Sequence, residues 1–352
     1  MFAGLFFAAA MDTALAQVAP PPPPPPPNPP ADTRPVSARP QFESTDQIST
    51  AVSKAVNQRL APSAGNAAPL NYALGYASGS GTESEAAAAL DNPPPMLWNV
   101  WGDAQASRTK RKDPVGGFDG PLSTVSLGLD YAFPGTGLFG LFGNVEKSDY
   151  DLIQSNGSLK SDGRGLGAYA GVVIGNAVVA DAMVVWKQFD NDIANPVSTA
   201  SYDSTRWQAA ANLTGYWYFD ALRFSPTVGI NWSRERQDGY TDSAGFAYGK
   251  ITQSTVAATG GVQVGYRVDT QGGASIEPWL GIGGDWEISR PTSDIAAVPP
   301  GDKLSRFDTR VSAGVNAQLT PSVTLSFSGE VGGLTRDNYS SVRGGGQLSV
   351  RF

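Results

Sequence analysis

The chain has 352 residues, a net charge of −7, 41 glycines, 27 prolines, and neither cysteine nor histidine. The missing residue types exclude disulfides, thiol nucleophiles, zinc fingers, iron–sulfur clusters, His-ligated metals and Ser-His-Asp chemistry, while the acidic balance argues against a nucleic-acid footprint. No apolar run reaches the roughly 18–20 residues of a membrane helix, so the glycine- and aromatic-rich composition points to a β-rich envelope protein.

Residues 1–16 read as a signal peptide, with an apolar stretch from Phe2 to Ala10 and an Ala-Leu-Ala end before Gln17. No Lys or Arg precedes that stretch, which leaves the true start codon open. Pro20 to Pro30 holds ten prolines interrupted by Asn28, a run that forms an extended polyproline spacer or a ligand for a proline-reading module. Ser44 to Leu60 is expected to be helical. Ser44 and Gln47 stand at capping-box spacing, and Ile48, Val52, Ala55, Val56 and Leu60 mark one stripe, about 25 Å long at 1.5 Å per residue. A second, short helix is expected at Glu83–Leu90 within an Ala-, Gly-, Ser- and Pro-rich stretch. Residues 17–95 are thus read as a Pro-rich, mostly disordered segment with a helix near 44–60.

From Met96 to Phe352 the apolar period becomes two. Leu348, Val350 and Phe352 alternate with polar residues, as do Val323, Leu325 and Phe327, and Val178, Ala180, Ala182, Val184 and Trp186 alternate with a row holding Asp181 and Lys187. The alternation predicts twelve strands near 97–109, 122–133, 138–149, 163–174, 177–189, 204–218, 221–233, 250–268, 274–288, 305–319, 322–333 and 341–352. Short connections alternate with long polar ones near 110–121, 150–162, 190–203, 234–249, 289–304 and 334–340. An even number of long antiparallel strands, tight turns at one end and longer loops at the other match an all-β, twelve-stranded transmembrane barrel. Aromatics cluster at strand ends: Tyr131, Phe133, Trp217, Tyr218, Phe219 and Tyr266 on one side, Trp186, Trp232 and Trp286 on the other. A soluble β-sandwich or lipocalin-like barrel would point its apolar faces inward and needs no such belts.

If the apolar row faces lipid and lipopolysaccharide, the other row lines the lumen. That row holds Asp103, Asp130, Glu146, Asp181, Lys187, Arg223, Arg267, Glu277, Asp285, Glu287, Arg310 and Glu330. Both signs occur, consistent either with mutual neutralisation or with a role in conduction. Gly165, Gly167, Gly171 and Gly175 recur on the same row, leaving space for a threaded segment or relieving barrel curvature. The stretch from Gly165 to Ala170 formally fits a dinucleotide fingerprint, but strand alternation continues where a helix should begin. No nucleophile motif or metal-ligand cluster is present, so neither an enzyme nor a cofactor is expected.

The strand count, the opening Leu97-Trp98-Asn99-Val100-Trp101-Gly102 and the closing Gln347-Leu348-Ser349-Val350-Arg351-Phe352 resemble the β-domain of autotransporters, the type V secretion translocators of Gram-negative bacteria. The resemblance covers residues 96–352 and implies an outer-membrane location, a monomeric barrel and a helix in the pore. It also implies a passenger that reaches the cell surface, and assembly by periplasmic chaperones and the barrel-assembly machinery, with Leu348, Val350 and Phe352 as the assembly signal. The passenger here is short, and no Asn–Asn pair for self-cleavage precedes the barrel. Two readings stay open: a translocator displaying its own N-terminal segment, or a standing structural, surface-contact or narrow diffusion barrel with a periplasmic tail. Either Ser44–Leu60 or Glu83–Leu90 is the candidate pore helix.

Overall fold

The computed structural model describes residues 38–62, 96–112, 117–133, 136–153, 155–270, 274–289, 306–336 and 338–352. The expected signal peptide, polyproline run and short helix at 83–90 lie outside these residues. One helix, α1 (Ala38–Leu60), precedes twelve long strands: β1 (Trp98–Arg111), β2 (Phe118–Phe133), β3 (Gly137–Leu152), β4 (Gly157–Ile174), β5 (Val178–Ala194) and β6 (Thr199–Gly215), then β7 (Leu222–Gln237), β8 (Ile251–Tyr266), β9 (Ser275–Ser289), β10 (Phe307–Gln318), β11 (Val323–Gly332) and β12 (Tyr339–Arg351). Each pairs antiparallel with its sequence neighbours. β12 returns to β1 from Asn99 opposite Arg351 to Arg111 opposite Tyr339, which closes the barrel. At the foot of that seam, Trp98 and Phe352 exchange two backbone hydrogen bonds of 3.0 Å.

All twelve expected strands are present, but several extend beyond the period-two signal at the loop end. The expected long loops at 150–162 and 190–203 contract, because β3 runs into Leu152, β4 starts at Gly157, β5 reaches Ala194 and β6 starts at Thr199. These extensions carry polar residues outward, such as Asp149, Asp151, Asp190 and Asp192, and bury apolar ones inward, such as Tyr150, Leu152, Leu159 and Ile193. The ladder continues there although the outward apolar row has ended and the apolar residues have moved to the inward face. A small hairpin, Tyr240–Thr241 against Ala247–Tyr248, folds within the connection from β7 to β8. The opposite end carries compact turns, where left-handed backbone falls on Gly175 and Asp220.

The outward row is apolar and open: Leu127, Leu166 and Leu280 are 64%, 72% and 67% exposed. The inward row buries charge, with Asp103, Asp130 and Lys187 at 3% exposure or less. A water-soluble barrel needs the reverse arrangement, so this polarity is that of a barrel solvated by lipid. Trp98, Phe133, Trp217, Phe219 and Tyr266 are exposed at the turn end, and Trp207, Trp286 and Phe307 toward the loop end. Tyr218 departs from the expected belt. It sits between two outward aromatics on the opposite face, and its hydroxyl donates to the Pro62 carbonyl inside the barrel at 2.5 Å.

The last strand presents Leu348 and Phe352 outward, at 46% and 61% exposure, with Val350 half-buried between them. Deleting Phe352 removes both backbone bonds at the seam and one lipid-facing ring. The heat-modifiable, folded form is expected to fall several-fold on gel electrophoresis, whereas undiminished folding would refute an assembly role for this residue.

Candidate functional site: the helix-filled lumen

Helix α1 starts six residues before the expected Ser44 and lies inside the barrel. The expected capping box does not form, because Ser44 is already helical and both side chains turn to the wall. Ser44 Oγ donates to Glu146, and the Gln47 amide donates to Ser107 at 2.8 Å and accepts from Thr124 at 2.9 Å. The apolar stripe of Ile48, Val52, Ala55, Val56 and Leu60 packs on an inward apolar patch. The patch is built from Trp101, Leu138, Phe142, Tyr169, Val179, Met183 and Val185 on β1 and β3–β5. Burying this stripe supplies the main attraction, at roughly 1.5–3 kcal/mol for each fully buried large aliphatic side chain. On the β9–β11 side the helix stands off. A cavity of about 410 Å³ opens beside Ser49, Ser53 and Asn57, and Asp46, Lys54 and Gln58 reach past it to Arg310, Ser328 and Ser326.

The direction of α1 follows from its two ends. Arg39, at the N-terminal end, donates to Asp285 at 3.1 Å, to Glu287 at 3.4 Å and to the Tyr339 hydroxyl at 2.8 Å, all at the loop end of the barrel. At the C-terminal end Arg59 donates to the Met96 and Leu97 carbonyls at 2.9 Å, and Arg351 donates to the Gln58 carbonyl at 2.6 Å, at the turn end. Cations on the last carbonyls satisfy acceptors that the helix itself cannot.

The sequence-predicted charges fall into separate groups. Glu146 accepts from Lys187 and, at 3.3 Å, from Arg206, which also bonds Glu235 at 2.6 Å. Asp181 accepts from Ser53 of the helix at 2.6 Å and from Asn212 at 3.0 Å. Arg310 meets Asp46 of the helix at 2.9 Å, and Arg343 bridges Asp46 at 2.6 Å and Glu330 at 2.7 Å. Arg223 pairs with Glu277 at 2.7 Å. Asp285 and Glu287 share Arg39, and Arg336 adds a 3.0 Å contact to Glu287. Asp130 accepts from Asn99 and Tyr169 at 2.8 Å and lies 3.6 Å from Arg59. Asp103 accepts from Gln105 at 2.8 Å. Arg267 stands apart from the inward row: it lies past the end of β8, partly exposed, and pairs with Asp269 at 2.7 Å.

The four predicted glycines divide similarly. Gly171 faces α1, where an added Cβ would stand 2.3 Å from Val56 Cγ1. Gly167 is covered by the Phe142 ring and Gly165 by the Lys187 chain, so these two make room for wall side chains rather than for the helix. Gly175 belongs to the turn after β4, with a φ of 62° and open space around it. Arg206, Glu235 and Arg343 were missed by sequence reasoning, though each continues an inward alternating row: Arg206 with Ser204 and Gln208, Glu235 with Ser233, Arg343 with Gln347. Among the described residues no group of three potential ligands is placed to hold a metal ion.

The contact of Gly171 with Val56 can be tested directly. Gly171→Ala should loosen α1 and raise tryptic cleavage at Lys54 and Arg59 about tenfold in the purified barrel. Adding Val56→Ala should restore protection, a coupling of about 1–2 kcal/mol between adjacent sites. Equal cleavage in both variants would remove Gly171 from the docking surface.

Comparison with solved structures places the barrel beside three translocators. The translocator domain of the autotransporter NalP from Neisseria meningitidis matches with a TM-score of 0.60 at 14% identity, over 76% of this chain and 92% of that one. The β-domain of the Bordetella autotransporter BrkA matches at 0.59 and 18% identity, over 73% and 100%. The transport unit of the autotransporter AIDA-I from Escherichia coli matches at 0.58 and 15% identity, over 72% and 90%. At these identities the likeness is one of fold, whereas the autotransporter β-domain family model matches residues 100–330 of the sequence itself. The chain, with its closed twelve-stranded barrel, belongs to the autotransporter β-domain family of outer-membrane translocators.

Proposed function

We propose that this protein is a self-displaying translocator whose chain before Ala38 emerges at the cell surface. The direction of α1 carries the reading. Outer-membrane barrels keep their short turns in the periplasm and their longer loops outside. The N-terminal end of α1 lies among Asp285, Glu287 and Tyr339 at the loop end, and its C-terminal end beside Met96 at the turn end, where β1 begins. A tail retained in the periplasm would have to pass the lumen a second time to reach Arg39. The lumen helix also explains the wall chemistry, since Asp181, Asp46 and Glu146 each engage a side chain across the helix–barrel boundary.

The remaining roles form one scheme. Residues 1–16 direct export, residues 17–37 form the displayed segment, and the inward charges orient α1 and solvate its polar side. Outer-membrane lipid surrounds the barrel, and periplasmic chaperones and the barrel-assembly machinery receive its last strand, Leu348 to Phe352.

An epitope inserted after Pro30 should be reached by antibody and protease on intact cells. A tag placed at the exposed Gly245 of the β7–β8 connection should be labelled likewise, and one at Asn176 should not. An epitope reached only after the outer membrane is permeabilised would overturn the translocator reading and favour a standing barrel with a periplasmic tail.

A further inference from the structure

We propose that the outer surface of β4–β7, just below the loop end, is a binding site for a phosphorylated glycolipid of the outer leaflet. Arg234 and Arg236 hold the phosphate, and Trp186, Trp207 and Trp232 lie against the sugar–acyl boundary. The proposal rests on the topology argued above, which puts the loop end at the outer leaflet.

The register brings these residues together from four strands. Trp186 stands opposite Trp207, and Trp207 opposite Arg234, in one outward row across β5, β6 and β7. Trp232 lies one step below on β7, opposite Ala209. The next row toward the loops runs from Arg164 through Gln188 and Thr205 to Arg236. A tryptophan platform directly beneath guanidinium groups has the layering of a lipid interface, with apolar chains below and phosphates above.

Among the described residues the charge distribution leaves these arginines unpaired. Elsewhere on the outer surface, Arg108, Lys110, Lys147, Lys160 and Lys250 each lie within 3.4 Å of an aspartate. Among the described residues Arg164, Arg234 and Arg236 have no carboxylate partner, although all three are exposed. An outward guanidinium at the membrane edge is a strong fork-shaped donor, and two of them at i and i+2 on one strand face stand within reach of a single phosphate monoester. One step farther out, Asp162, Asp190 and Asp203 stand directly opposite one another. That carboxylate row repels phosphate and confines it to the arginine level, so the site also fixes depth in the leaflet.

The test uses the purified full chain in detergent, followed by native mass spectrometry after exposure to bisphosphorylated lipid A or its dephosphorylated form. The wild-type protein should retain the bisphosphorylated lipid and hold the dephosphorylated one at least tenfold more weakly. That comparison needs no mutant. Arg234→Gln with Arg236→Gln should reduce retention at least tenfold, while Arg108→Gln with Lys110→Gln, both paired with Asp119 across β1 and β2, should leave it unchanged. Heat-modifiable mobility checks that each variant is folded. Equal retention of the two lipids, or full retention by the folded arginine variant, would overturn the site. Epitope exposure on cells is read separately, so a failed lipid site and a failed topology give different results.

Discussion

Closure of the sheet is the constraint on which the rest of the structure depends. A strand edge in hydrocarbon leaves N–H and C=O groups with neither water nor a partner, at several kcal/mol each. Pairing of β1 with β12 removes both edges, from Asn99 and Arg351 up to Arg111 and Tyr339. An even number of strands then brings Trp98 and Phe352 to the same end. Closure also separates two solvents. The outer surface meets lipid and can be apolar throughout, whereas the inner surface must satisfy every polar group within a confined space.

The helix resolves that second demand unequally around the lumen. One wall, formed largely by β3–β5, supplies apolar contacts for Val52, Ala55 and Val56. The other answers with long polar side chains, including Arg310 and Arg343 on Asp46 and the Ser328 hydroxyl accepting from Lys54 at 2.8 Å. A helix bound by apolar contact on one side and by ion pairs beside a cavity on the other is held without close packing all round.

Rings lying on glycines stiffen the same wall. Trp101 covers Gly128 and Tyr169 covers Gly140, positions where an added Cβ would stand 2.3 Å and 2.2 Å from the covering ring. The two aromatics are joined by a 2.6 Å hydrogen bond from Trp101 Nε1 to the Tyr169 hydroxyl, which donates in turn to Asp130. Flat packing keeps these large side chains out of the helix's path while anchoring the foot of the lumen near Arg59.

Local alternation in the sequence determined the number of strands, which face is apolar and the shared end of the two barrel termini, because a period of two is written within each strand. It under-reported the strand extensions, where the apolar row moves from the outward to the inward face, and it hid the inward Val179, Met183 and Val185 inside a nearly continuous apolar run. Only the tertiary structure decided that residues 38–60 fill the lumen, in which direction they run, and which charges meet. Asp46 and Arg343 lie 297 positions apart, and Ser53 and Asp181 lie 128 apart. No periodicity encodes such partners, since they are brought together by closure of the whole sheet around the helix.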